Sequence, residues 1–229
     1  MRVYLRKYGV LLVEGHVVIS KVLAKPGAAH ALSDVLAVSA TALAPGPKIA
    51  LLGFAGGGIL APLRALGFKS PIDAVDLSLE YEKWFRKYCS SWAGRVRLTQ
   101  DEASAWLKRR RGRYDVIIED LSVNGPYGVK KPEASVVTLP RLMKRRLKPH
   151  GLVVVNLLPM QGMSWRELLE RVAAPYRRAL VVSLVDYENK LVIGGSRLPE
   201  GREASRRIRS GLQQLGSRLV GRFRVRTLK

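Results

Sequence analysis

The chain has 229 residues, 47% of them hydrophobic, a length that suits one large α/β domain with a small appendage. Its apolar runs fall short of the roughly 18 residues that a membrane span needs. The first residues are too polar for a signal peptide, so we expect a cytoplasmic protein that does not bind membranes. A single cysteine, Cys89, excludes an internal disulfide framework and agrees with a reducing compartment.

Positive charge dominates the composition: 40 Lys and Arg face 18 Asp and Glu, a net charge of +22. Such an excess attracts polyanions at long range, so nucleic acid or another polyanion is a candidate partner, through the basic segment 197–229. Charge sets up a field but not a site, and an arginine-rich proteome produces the same total. The alternative is a solvated basic face on a packing helix, because apolar residues recur there at helical spacing, at Ile208, Leu212, Leu215 and Leu219.

The amino-terminal part of the chain indicates a small β structure. Residues 2–22 alternate apolar and polar side chains, which predicts two or three antiparallel strands. A helix is predicted over residues 28–43, and the Pro-Gly-Pro sequence that begins at Pro45 stops it just before the next strand.

A glycine-rich turn follows a short, wholly apolar segment, Ile49–Leu52, which is typical of a strand buried on both faces of a parallel sheet. A helix is predicted next, over residues 59–66. Glycines let the backbone approach a ligand closely, and a helix start presents free N–H groups, so this strand, turn and helix favour a nucleotide site. The glycines are Gly53, Gly56, Gly57 and Gly58.

Acidic residues end the next two predicted strands. Asp76 follows Gly53 by 23 positions, near the spacing at which nucleotide-binding folds place a carboxylate on the ribose hydroxyls. The alternative role is a cap for the helix predicted over 79–88, although Ser78 already supplies one. Asp101 and Glu102 follow the strand at 95–98 and precede the helix at 104–111; they either favour its dipole or accept from an adenine amino group.

The strand predicted at 113–120 is apolar in its middle and ends on Asp120. Ligands in open α/β sheets bind outside the carboxyl ends of the strands, so Asp120 is the strongest candidate functional residue. Residues 121–135 form a loop long enough to cover the crevice as a lid.

The remaining segments predict two helices, a fifth strand and a closing antiparallel pair. The first helix, residues 135–147, contains Pro140, which we expect to bend it. The fifth strand, the second helix and the pair are predicted at residues 152–158, 164–174, 179–186 and 190–194.

These motifs in this order resemble the class I S-adenosylmethionine-dependent methyltransferase fold, and more narrowly the spermidine synthase family, over residues 9–196. The resemblance implies a Rossmann-like α/β fold: a mainly parallel seven-stranded sheet with a C-terminal antiparallel hairpin, after a small N-terminal β appendage. The predicted divisions are a β-hairpin region, a nucleotide-binding domain, and a basic helix and tail, at residues 1–25, 26–196 and 197–229.

The resemblance also implies residue roles. The glycine turn would cradle the amino-acid end of S-adenosylmethionine or decarboxylated S-adenosylmethionine, the implied co-substrate. Asp120 would be catalytic, orienting an attacking amine or receiving its proton, and would also line the nucleotide site. The other cofactor-binding residues would be Gly53, Ala55, Gly56, Gly57, Asp76, Leu77, Asp101 and Glu102. The substrate gate would comprise His30 and Tyr127.

The sequence departs from the family where the acceptor binds. Gly56 occupies the position of an Asp in the glycine turn, and Val123 that of the second Asp of the catalytic loop. Val18 replaces a Gln, and only His30 survives of a Tyr-His-Glu element. Ammonium groups need acidic or carbonyl partners, so nucleotide binding is expected to persist while polyamine binding is eroded.

Three functions follow as hypotheses. The first is a spermidine synthase-like transferase that binds S-adenosylmethionine or its decarboxylated form, with aminopropyl transfer to a polyamine as the weaker part. The alternative is a methyltransferase acting on another acceptor, and the second alternative is a non-catalytic basic protein that binds nucleic acid. His16, His30 and His150 share no ligand spacing, so no metal is expected. Free strand edges favour a homodimer.

Overall fold

The computed structural model describes residues 2–125 and 128–229, in which strands and helices alternate. The strands are β1 (Arg2–Arg6), β2 (Gly9–Glu14), β3 (Val17–Leu23), β4 (Ile49–Leu52), β5 (Ile72–Asp76), β6 (Val96–Gln100), β7 (Tyr114–Glu119), β8 (Val123–Gly125), β9 (Gly128–Lys130), β10 (Leu147–Leu157), β11 (Arg178–Leu184), β12 (Lys190–Gly195) and β13 (Phe223–Thr227). The helices are α1 (Leu32–Leu43), α2 (Leu60–Ala65), α3 (Glu82–Cys89), α4 (Ala103–Arg109), α5 (Ala134–Val137), α6 (Leu139–Arg146), α7 (Trp165–Ala173) and α8 (Gly201–Leu215).

The main sheet contains eight strands in the order β13–β11–β12–β10–β7–β4–β5–β6. The strands from β10 to β6 are parallel, and β12, β11 and β13 are antiparallel to their neighbours. Every residue of β4 and β7 is buried, which explains their apolar runs. The predicted α/β fold, a mostly parallel sheet with an antiparallel hairpin and a small N-terminal sheet, is confirmed.

The sheet has one strand more than the seven expected, because β13 from the basic tail pairs with β11 at the edge. Its sequence alternates, with Phe223 buried, Val225 half-buried, and Arg224 and Arg226 exposed. Because arginine occupies every second position, the segment is highly charged overall, and this obscures the alternating pattern of a strand whose other face packs inward.

Helix α8 packs against α1, and its buried residues Ile208, Leu212 and Leu215 lie at the predicted helical spacing. The two helices approach closely at Gly211, where a Cβ would lie 2.6 Å from Val38 Cγ1. The helix ends at Gly216, in a left-handed conformation that glycine adopts without strain. The domain boundary predicted at residue 196 stays a prediction.

Several elements differ from the sequence expectation for identifiable reasons. Two helices replace the bent helix predicted at 135–147, because Pro140 lies in the first turn of α6 and the chain breaks before it. The expected loop at 121–135 contains the strand pair β8–β9. Helix α1 begins four positions later than predicted, because the Asp34 carboxylate accepts hydrogen bonds from Ala29 and His30 N–H and turns the chain there.

The N-terminal sheet has the order β1–β2–β3 and packs the side chains of Leu12 and Val22 into the main core. Strand β1 is exposed along its whole length and forms an edge of this sheet, which could pair with a second chain. The homodimer itself remains a prediction. Among the described residues, no helix combines the length and the apolar character that crossing a membrane requires.

Candidate functional site

The turn between β4 and α2 is built from residues with positive φ angles: Gly53 at 89°, Ala55 at 40°, Gly56 at 81° and Gly57 at 82°. Ala55 carries a side chain in a conformation that is costly for residues other than glycine. Such strain persists only where the surrounding contacts hold it, and it clusters at functional sites. The turn is therefore a candidate functional segment.

Gly53 permits a close approach between neighbouring strand ends. Its N–H donates to Val75 O at 2.9 Å, and a Cβ on Gly53 would lie 2.6 Å from the carbonyl oxygen of Asp120. The carboxyl ends of β4, β5 and β7 are thus brought together at one residue that has no side chain.

This contact predicts a difference between two glycine substitutions. Gly67 has a similar φ of +83°, but a Cβ there meets nothing within 4 Å. We expect Gly67→Ala to cost about 1–2 kcal/mol in unfolding free energy from φ strain alone. Gly53→Ala should cost ~1–3 kcal/mol more, because the Asp120 carbonyl must move. Urea unfolding of both variants measures the difference, and equal losses would contradict the close approach.

The side chain of Asp76, at the end of β5, holds the glycine turn. Its Oδ2 accepts hydrogen bonds from Phe54 N–H at 2.7 Å and Ala55 N–H at 2.9 Å, and its Oδ1 accepts from Ser78 N–H at 3.2 Å. A carboxylate offers about four lone-pair positions, so roughly one remains for a further donor. Asp76 therefore stabilises the strained turn and keeps little capacity for a ribose diol.

Asp101 and Glu102 follow β6, and both carboxylates contact the protein. Glu102 caps α4, accepting from Ser104 N–H at 2.9 Å and Ala105 N–H at 2.7 Å. Burial acts to raise the pKa of Glu102, but these donors outweigh it and hold the pKa below its ordinary value. Asp101 accepts from Glu102 N–H and pairs with Arg109. Glu102 thus caps α4 in this structure, and its role toward an adenine amine stays a prediction.

Asp120 directly follows β7 and is held by residues that the sequence did not single out. Its Oδ1 accepts a hydrogen bond of 2.7 Å from Asn156 Nδ2, and Asn156 Oδ1 accepts one of 2.9 Å from Asn189. Asn156 lies on β10 and Asn189 in the connection between β11 and β12. The signal for Asn156 was present, since it is the one polar residue within the apolar segment of β10, from Leu152 to Leu157.

A buried ion pair lies next to Asp120. Lys131 Nζ is 2.8 Å from Glu119 Oε1, and both side chains are 0% exposed. Lys131 also donates to the carbonyl of Leu121, and the same Glu119 oxygen accepts from Ser135 Oγ at 3.2 Å. Burial raises the pKa of Glu119, against the opposing effect of Lys131. The pair fixes the segment after Asp120, which we had expected to be a lid, to the core.

The N-terminal sheet covers part of the glycine turn. A Cβ at Gly56 would lie 3.0 Å from Leu12 Cδ1 and 3.1 Å from Val22 Cγ2, and one at Gly58 would lie 2.4 Å from Ser20 Oγ. The N-terminal sheet therefore fills the space beside Gly56 and Gly58.

Tyr81 lies beside the covered part of the turn, in a surrounding of carboxylates. A Cβ at Gly56 would lie 3.6 Å from Tyr81 Cβ. Burial, with the added effect of Glu80, Glu14 and Asp76, raises the pKa of Tyr81 to about 12. Three carboxylates, those of Glu80, Glu14 and Asp76, therefore lie near enough to Tyr81 to act on its phenol.

Leu77 and His30 occupy two further positions around the site. Leu77 is 63% exposed directly after Asp76, an apolar side chain presented to solvent. His30 is exposed, and its Nδ1 accepts from Arg218 N–H at 3.4 Å, so it contacts the C-terminal segment. The adjoining Asp34 is buried and accepts from Ser217 Oγ at 2.7 Å. The gate residue Tyr127 lies outside the described residues.

A series of close contacts and hydrogen bonds connects the predicted nucleotide-site residues. Gly53 contacts Asp120, Asp76 binds the glycine turn, Asp101 N–H donates to Asp76 O at 2.9 Å, and Asp101 binds Glu102. The structure therefore brings the four strand ends together at one edge of the sheet. Within residues 2–125 and 128–229, no three His, Cys, Asp or Glu side chains are grouped as metal ligands.

Solved structures share this architecture at low sequence identity. A probable spermidine synthase from Corynebacterium glutamicum superposes with a TM-score of 0.66 at 17% identity, over 99% of this chain and 89% of its own. Human methyltransferase-like protein 13, in complex with SAH, gives 0.64 at 20%, over 80% and 90%. A spermidine synthase bound to the transition-state analogue AdoDATO gives 0.64 at 14%, over 83% and 68%. No protein-family model and no curated protein matches the sequence.

The fold is that of class I S-adenosylmethionine-dependent methyltransferases, and spermidine synthases share it. The resemblance drawn from the sequence is thus confirmed at the level of the fold. The similar structures comprise both spermidine synthases and methyltransferases.

Proposed function

We propose that the chain binds a thioether nucleotide of the S-adenosylmethionine type at the carboxyl edge of its parallel strands and transfers a group from it to a nucleophile. The observation that carries this proposal is the meeting of the strained glycine turn with Asp76 and Asp120 across the ends of three adjacent strands. Similar structures bound to SAH and to AdoDATO support the class of ligand.

The residues around the turn fit such a nucleotide unevenly. Ala55, held in its strained conformation by Asp76, offers backbone close to the ligand, and Leu77 offers an exposed apolar surface for a base. Asp76 retains about one acceptor position for a ribose hydroxyl. Asp101 and Glu102 are engaged within the protein, so the adenine amine would depend on other acceptors.

A sulfonium nucleotide supplies a carbon from which the neutral thioether departs. The protein must align an uncharged amine with that carbon and take up the proton that the amine loses as the C–N bond forms. In this proposal Asp120 receives that proton. The Asn156 amide donates to Asp120 Oδ1, and in the proposal the other carboxylate oxygen faces the acceptor.

A specific observation favours methyl transfer as a second candidate. Val123, at the position of the family's second catalytic-loop Asp, is half-buried in β8 and offers no polar contact for an ammonium group. Gly56, at the position of the family's Asp, packs against Leu12 and Val22 and adds no carboxylate. A polyamine therefore lacks the charged partners that would hold it, whereas a neutral or single-amine acceptor needs fewer.

Isothermal calorimetry with S-adenosylmethionine, its decarboxylated form and SAH tests the proposal. We expect saturable binding of the nucleotides with one site per chain. Tighter binding of the decarboxylated form would favour aminopropyl transfer, and tighter binding of the carboxylated form would favour methyl transfer. If none of the three binds, the nucleotide site is refuted.

A further inference from the structure

Four arginines line a surface cavity of about 480 Å³ on the main domain. Arg178 begins β11 and Arg177 precedes it, Arg197 lies in the segment after β12, and Arg207 lies on α8. Three separate parts of the chain therefore converge on one concave, strongly basic surface. Buried Leu198 also lines the cavity.

The cavity lies near the amino ends of the parallel strands, whereas the proposed nucleotide site lies at their carboxyl ends. Arg178 pairs in register with Gly195, which is level with Leu152 of β10 and hence with Val116 of β7. Val116 is near the amino end of its strand, whereas Asp120 follows the carboxyl end. A ligand of the cavity is therefore separate from the nucleotide that Asp120 would contact.

Carboxylates neutralise only part of this charge. Arg178 pairs with Glu200, and Arg207 pairs with Glu203 at 2.7 Å. Arg177 and Arg197 are exposed, and neither has a carboxylate partner within the described part of the chain. The cavity therefore keeps an excess of positive charge, and two of its guanidinium groups are free to bind an anion.

We propose that this cavity binds a phosphate group, either free, as in pyrophosphate, or carried on an RNA backbone. The planar guanidinium fork matches phosphate oxygens with paired, charge-assisted hydrogen bonds. Several guanidinium groups around one cavity suit a multiply charged anion better than a single carboxylate. The net charge of +22 draws such anions toward the whole molecule, and the cavity supplies the site that charge alone does not.

The test compares two double variants that lose equal charge. Arg177→Gln with Arg197→Gln removes the two unpaired cavity arginines. Arg2→Gln with Arg6→Gln removes two exposed arginines from β1 of the N-terminal sheet. Pyrophosphate binding is measured by calorimetry at near-physiological ionic strength, RNA binding by fluorescence anisotropy of a labelled single strand, and folding of each variant by circular dichroism.

We expect pyrophosphate to bind the wild-type protein and to bind the cavity variant about tenfold or more weakly. The β1 variant should stay within about threefold, since it changes only the screened long-range field. If both variants weaken equally, or if the wild type does not bind pyrophosphate, the proposal is overturned. Displacement of bound RNA by pyrophosphate, with RNA binding reduced in the cavity variant, would identify RNA as the source of the phosphate. If pyrophosphate binds and RNA does not, the ligand is a free phosphate compound.

Discussion

Asp120→Asn is expected to lower group transfer by about 10²–10⁴-fold, the contribution typical of a positioned proton acceptor. The substitution removes the charge and the proton affinity but keeps the shape and an amide oxygen that can still accept from Asn156. Binding of the nucleotide should therefore change by less than about threefold. The transfer rate is measured with a nucleotide that carries a label on the transferred group, and a panel of primary amines serves as acceptors.

Asp186→Asn is the matched control, because it removes the same charge from an exposed aspartate whose partner is the surface residue Arg222. It lies after β11, three strands from β7 in the sheet. We expect its transfer rate to equal that of the wild type. Unchanged turnover in Asp120→Asn would remove Asp120 from the mechanism, while lost nucleotide binding would assign it a binding role instead.

Lys131→Met is expected to destabilise the protein by about 3–5 kcal/mol, the usual cost of leaving a buried charge without its partner. Glu119 is fully buried, and Lys131 supplies the positive charge beside it. Its Oε2 has no hydrogen-bond partner among the described residues, and without Lys131 its Oε1 keeps only the neutral donors Leu121 N–H and Ser135 Oγ there. Urea unfolding measures the loss, and Glu119→Gln added to Lys131→Met should restore part of it.

Lys130→Met provides the control, because Lys130 is the exposed neighbour of Lys131 and the same change there should cost less than about 0.5 kcal/mol.

The pH dependence of the stability of Lys131→Met gives a second check. Burial raises the pKa of Glu119 above its value in the unfolded chain, and removing Lys131 raises it further. The folded variant then binds more protons than the unfolded one, so its stability falls as pH rises above the unfolded pKa. A stability deficit in Lys131→Met that is independent of pH would contradict this account.

Local sequence rules predicted the sheet well, because buried parallel strands such as β4 and β7 have almost no freedom in composition. The glycine turn was predictable for the same kind of reason. Gly56 and Gly57 adopt positive φ angles, and few other residues do so without strain. Acidic residues at strand ends were predictable from polarity, since a charge next to an apolar run marks the edge of the sheet.

Contacts between distant segments were not predictable. The ion pair between Lys131 and Glu119 could not be predicted, because a lysine in a loop is ordinarily solvated and nothing in the local sequence indicates its partner. Asp34 and Ser217 meet across 183 positions. Strand β13 was not predicted, because its exposed arginines give the segment the composition of a charged tail.

The sequence by itself determined the five parallel strands, the glycine turn after β4 and the acidic residues at the carboxyl ends of β5, β6 and β7. Backbone sterics and burial act within a few residues, so one segment is enough to reveal them. Only the tertiary structure decided how the polar groups are used: Asp76 on the turn, Glu102 on a helix start, Asn156 on Asp120, and four arginines around one cavity. Hydrogen bonds and charge pairs depend on distances across the fold, and spacing along the chain does not contain those distances.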